Sequence, residues 1–168
     1  MNVNTAMRSP RLRYWQWVIL AGLVAGALDI LYAIGVWGLQ GIPAERILQS
    51  VASGVLGKAS FSGGAGAAAL GLTLHMLIAL VMAATYFIAA CKWRVLVLRP
   101  WLCGTLYGLL LYVVMNFVVV PLSAAPVRHP ANLIAIVRAL LPHVVLVGLP
   151  IAWLARLALG NHARAGER

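Results

Sequence analysis

Acidic side chains are nearly missing from this 168-residue chain: Asp29, Glu45 and Glu167 stand against 13 lysines and arginines, a formal net charge of +10. Charge of either sign is scarce. Charged residues make up 10% of the chain and hydrophobic ones 63%, whereas a soluble domain carries about 25% charged residues. Too little polar surface remains to face water all round, which excludes a soluble globular fold. The basic excess would suggest nucleic acid in a soluble protein. Here the basic residues lie between and beyond long apolar runs, and no Arg-rich face interleaves with aromatics. They serve topology and contact with anionic lipid instead, and no nucleic-acid partner is expected. Cysteine is limited to Cys91 and Cys103. These form no metal motif and read as small core residues near cytoplasmic helix ends, where thiols stay reduced. There is no C-x-x-C-H haem motif and no G-x-S-x-G elbow of a hydrolase.

Four apolar runs are long enough to cross roughly 30 Å of hydrocarbon. They cover 15–39, 66–91, 101–122 and 133–159, predicting an all-α membrane protein: one domain over 1–168, built as a four-helix bundle. Arg8, Arg11 and Arg13 resemble the basic start of a signal peptide. The first run, however, exceeds the usual 7–15 apolar residues and contains Asp29, so an uncleaved span is expected. One side of the bundle receives Arg8, Arg11, Arg13, Lys92, Arg94, Arg99, Arg156, Arg164 and Arg168. The other receives Arg46, Lys58, Arg128 and Arg138. Nine against four places both termini in the cytoplasm of a bacterial-type inner membrane. Tyr14, Trp15, Trp17, Trp93, Trp101 and Trp153 mark the cytoplasmic interface.

The first outer loop carries a short helix over 43–57, with Pro43 at its start. Ile47, Leu48, Val51 and Val55 recur at helical spacing, with Glu45, Gln49 and Ser53 opposite. This predicts a surface helix lying in the interface, tolerant of Gln49→Ala and Ser53→Ala; a lid over the bundle is the alternative. S-F-S-G-G-A-G at 60–66 supplies the turn into the second span.

Close approach between helices in lipid needs small side chains, which Gly22 and Gly26 offer in the first span and Gly104 and Gly108 in the third. Each opens a hairpin whose second helix carries one histidine, His75 or His143, a pattern of two tandem hairpins. In the fourth span Pro142 and Pro150 leave the carbonyls of Arg138 and Leu146 without their usual donors.

Depth adds a further pattern. Asp29 lies about 21 Å from Trp15, His75 about 24 Å from Cys91, Asn116 about 22 Å from Trp101, and His143 about 22 Å from Ala158. One strongly polar residue per helix thus falls at one level, with Tyr32, Tyr112 and Arg138 near it. Three readings follow. A hydrogen-bonded layer can fix helix register; this is the favoured one and makes the chain an accessory or interaction protein. Alternatively, Asp29, His75 and His143 exchange protons or ions in a small transporter. The third reading is bis-histidine haem b or a transition metal held by Asp29, His75 and His143. No cofactor is required by any motif, and no catalytic residue is assigned. Expected partners are membrane lipid and a second copy or larger membrane complex.

G-L-V-A-G-A-L-D-I-L-Y-A (22–33), I-L-Q-S-V-A-S-G-V-L-G (47–57) and V-M-N-F-V-V-V-P-L-S-A (114–124) resemble segments of small uncharacterised four-span bacterial inner-membrane proteins. The resemblance implies a four-span fold and brings no assigned activity.

Overall fold

The computed structural model describes residues 13–126 and 132–165, with side chains as far as Gly160. Arg8, Arg11, Arg128, Glu167 and Arg168, and the side chain of Arg164, lie outside the described residues. Helix α1 (Tyr14–Gly38) leads into α2 (Ala44–Leu56), a 3₁₀ turn (Gly57–Ser62), α3 (Gly64–Lys92) and a short α4 (Val95–Leu98). Helix α5 runs Pro100–Leu122, and α6 runs from Leu133 through Gly160 to Ala165. Four of these helices, of 25, 29, 23 and 28 residues, are long and apolar enough to cross a membrane. At 1.5 Å per residue the shortest reaches about 34 Å. Mid-helix Leu31, Val81, Leu110 and Phe117 are each more than half exposed. That surface is costly in water and ordinary against lipid.

The chain builds two hairpins, α1 with α3 and α5 with α6, joined chiefly by α6 packing on α1. Below, the terminal side means the end where α1 and α5 begin and α3 and α6 end; the far side is opposite. Small residues make the tight crossings. A Cβ on Gly22 would lie 2.8 Å from Leu80 Cα, and one on Gly104 3.0 Å from the Gly148 carbonyl oxygen. Around these crossings the terminal half packs solidly, with Ala21, Ala25, Phe87, Ile151, Ala152 and Ala155 fully buried. Tyr86 and Tyr107 close that core between α3 and α5, their ring centroids 5.0 Å apart and the Tyr107 hydroxyl donating to Met82 O at 2.7 Å. Buried Cys103 and exposed Cys91 are both free thiols.

Helix α2 corrects the sequence reading. Gln49 and Ser53, assigned to the water-facing side, are 4% and 2% exposed, whereas Val55 is 63% exposed. The Gln49 amide donates to Glu45 Oε1 at 3.1 Å and to Gly64 O at 3.2 Å, binding α2 to the start of α3. The helix was legible, but its buried stripe was not: Gln49 and Ser53 go inside together with Ile47 and Ala52, while Glu45 and Val55 are exposed. Gln49→Ala is therefore expected to lower the unfolding free energy in detergent by about 0.5–1.5 kcal/mol, because it removes the hydrogen bond that ties α2 to the start of α3. A denaturation midpoint equal to wild type would return α2 to the surface role.

Candidate functional site

The far half of the bundle holds a partly open cavity of about 260 Å³ beyond the Tyr86–Tyr107 pair. Helices α1, α3, α5 and α6 supply its walls, and Ser50, Val51 and Gly54 of α2 cover it. The cover is fastened on two sides. Leu48 presses its carbonyl against Gly71 of α3, whose missing Cβ would otherwise collide with it. At the other end, Ala124 N–H donates to Gly54 O at 2.9 Å, tying α2 to the chain just after α5.

Asp29, His75 and His143 all line this cavity. Gly26 lets α1 approach α3 so closely that His75 Nε2 meets the Gly26 carbonyl at 2.9 Å. The same nitrogen lies 3.8 Å from Asp29 Oδ2, which is beyond hydrogen-bond length. A carbonyl only accepts, so this nitrogen carries hydrogen and spends it on Gly26. His143 behaves alike: its Nδ1 donates to Ala139 O at 2.8 Å, and its ring stands edge-on to Tyr112 with centroids 5.8 Å apart. The Asp29 carboxylate has no hydrogen-bond donor among the described residues.

The remaining residues of the sequence-derived layer go elsewhere. Asn116 is exposed and returns its amide to Tyr112 O, 2.9 Å away on its own helix. Depth along a helix fixes a level but not a direction, and Asn116 sits one residue, about 100°, from cavity-lining Met115. Tyr32 donates its hydroxyl to Arg138 O at 3.2 Å, the carbonyl that Pro142 leaves without its helical donor. The Arg138 guanidinium lies 5.9 Å from the centre of the Trp37 ring. Tyr32 and Arg138 thus brace α1 against α6 rather than line the cavity.

Two π-helical stretches, Met115–Val119 and His143–Gly148, form part of the wall. Val120 N–H reaches back five residues to Met115 O, and Leu149 N–H to Val144 O. In each case a proline follows, Pro121 or Pro150. The pyrrolidine ring crowds the preceding turn and lacks its own N–H, so the turn widens. Pro150 was read as an interruption, whereas Pro121 was passed over. Each proline lies two residues past the end of a π stretch, so a proline inside an apolar run is the signal that could have found both. Ser50 and Ser123 also line the cavity, and nothing in the one-dimensional pattern marks them.

Among the described residues, no three His, Cys, Asp or Glu side chains gather as a metal ion would need. His75 Nε2 and His143 Nδ1 are each committed to a backbone carbonyl, so only the other ring nitrogen of each could ligate a haem iron or metal ion. No protein-family model matches the chain, no curated protein is significantly similar to it, and no solved structure matches it at a significant level.

Proposed function

We propose that this is a multi-pass protein of a bacterial inner membrane, with cytoplasmic termini, that links proton exchange in its central cavity to movement of a small solute. Its orientation draws support from the described basic residues. Arg13, Lys92, Arg94, Arg99 and Arg156 flank the terminal side, against Arg46, Lys58 and Arg138 on the far side. The terminal side also carries the exposed rings of Trp15, Trp93 and Trp101.

The observation that carries the functional reading is the open pair. Asp29 and His75 stand 3.8 Å apart inside a membrane-spanning bundle, facing a cavity. A layer serving only to fix register should close its hydrogen bonds between the helices. Asp29 is left without a donor and Asn116 turns away, so a purely structural layer fits less well. An ionisable group kept in a spanning segment marks an ion or proton path by default, and histidine is the side chain suited to exchange protons near neutral pH. The π turns point the same way, since such distortions concentrate at working sites.

The test uses proteoliposomes loaded with potassium and an entrapped pH dye, given an inside-negative potential with valinomycin. The outer medium contains in turn no solute and small cationic, neutral and anionic solutes. Wild type is expected to change the interior pH several-fold faster than protein-free vesicles in at least one condition, and Asp29→Asn to fall to the protein-free rate in all. Wild-type vesicles that match protein-free ones throughout would sink the proposal.

A further inference from the structure

The cavity has a one-sided polarity that names the chemistry of its occupant. Five polar side chains line it: Asp29, Ser50, His75, Ser123 and His143. Each side chain that carries a hydrogen has already spent one on backbone. Ser50 Oγ donates to Ile47 O at 2.6 Å, and Ser123 Oγ to Val120 O at 2.7 Å. His75 Nε2 donates to Gly26 O and His143 Nδ1 to Ala139 O. What remains is dominated by acceptors: the Asp29 carboxylate, the Ser50 oxygen, the one lone pair that Ser123 Oγ keeps after accepting Ala125 N–H at 3.2 Å, and, in the neutral form of each imidazole, its second ring nitrogen.

From this we infer that the cavity binds a small primary or secondary organic ammonium, an N–H-bearing cation with a compact apolar body. The inference rests on the reading of the cavity as the working site and names its substrate class. Among the described residues an anion would meet a carboxylate and no donor still free on a neutral side chain, and a neutral alcohol offers a single hydrogen. A bare metal ion fits poorly as well, for the space is roughly twentyfold the ~10–15 Å³ that one water needs. Most of the remaining wall is hydrocarbon and thioether, from Val51, Ile78, Met82, Met115, Val119 and Val147. That wall suits the organic body of the ligand, and methionine adapts to varied shapes. A quaternary ammonium is disfavoured on two counts. It has no N–H to give the acceptors, and among the described residues no Phe, Tyr or Trp ring lines the cavity to form the cage such cations use. In the ammonium complex the ligand supplies Asp29 with both the counter-charge and the hydrogen that His75 withholds.

The experiment measures binding to the full-length protein in nanodiscs by calorimetry, with four solutes of similar size: isobutylammonium, tetramethylammonium, isobutanol and isobutyrate. Isobutylammonium is expected to bind tightest and to raise the melting temperature. Asp29→Asn should weaken it by about tenfold to a hundredfold, the loss of a charge-assisted bond. Should Asp29→Asn fail to fold, Val147→Phe, which fills the cavity and leaves Asp29 in place, carries the same test and should abolish binding. The inference is overturned if isobutylammonium binds no tighter than isobutyrate or isobutanol, or if its affinity survives in the folded variant. Preferred binding of tetramethylammonium overturns it as well. The two readings separate cleanly. Ammonium binding without any proton movement in vesicles keeps the substrate class and removes proton linkage. Asp29-dependent proton movement without ammonium preference does the reverse.

Discussion

Gly108→Leu is expected to leave α5 and α6 unable to pack closely, with a loss of stability beyond that of ordinary overpacking. A Cβ at position 108 would sit 2.5 Å from both the His143 carbonyl oxygen and Val144 Cα, where carbon atoms at rest keep about 3.5–4.0 Å. These are backbone atoms, so no rotamer change relieves the overlap; the helices must separate. Separation is opposed from the other side, because Gly148 lies just as close to Gly104 and Gly108. Ordinary overpacking costs about 1–3 kcal/mol, and a leucine here should exceed that range against a typical total of roughly 5–15 kcal/mol. The measurement is a thermal or denaturant unfolding curve in detergent, with Gly35→Leu as control, since a Cβ there meets nothing within 4 Å. Equal midpoints for the two variants would mean that the α5–α6 crossing is not as close as described. Displacement of α6 also moves His143, so any cavity-dependent activity should fall with stability.

Gly71→Leu is expected to lift α2 from α3 while the four long helices hold together. The Leu48 carbonyl occupies the space a side chain at 71 would take, with the Leu48 carbonyl carbon 2.8 Å from the ideal Cβ position. The glycines with positive φ, Gly41, Gly57 and Gly64, lie on either side of α2. The cover can therefore yield at its ends without strain on a side chain. A destabilisation of about 1–3 kcal/mol is expected, together with faster access to the cavity. In a background with Cys91 and Cys103 replaced by serine, a cysteine at Ile78 should react with a small water-soluble thiol reagent several-fold faster when Gly71→Leu is present. Unchanged labelling with the fold retained would show that α2 does not control entry.

Much of the architecture follows from one-dimensional features because the bilayer is a severe solvent. A span must satisfy its own backbone and present apolar side chains, so run length alone gave α1, α3, α5 and α6 to within about two residues at most ends. Gly26 and His75 show where that legibility stops. The sequence marks one as small and the other as polar, but only the crossing of α1 over α3 puts the Gly26 carbonyl at the histidine and holds Asp29 just out of hydrogen-bond reach. Asn116 has the same level and composition signal as its supposed partners, yet faces away, because level is set by rise along the axis and direction by rotation about it. Gln49 reads as polar surface and lies inside, since its amide finds Glu45 Oε1 and Gly64 O, partners that only the packing of α2 on α3 brings within reach. The number of long helices, their lengths and the basic bias at their ends were thus readable from the chain, because all of them depend on local composition and the thickness of the bilayer. Which polar groups share the cavity, which hydrogens they have already given to the backbone, and that α2 covers them came from packing alone. Those facts depend on rotation and crossing between helices remote in the chain, which no local pattern encodes.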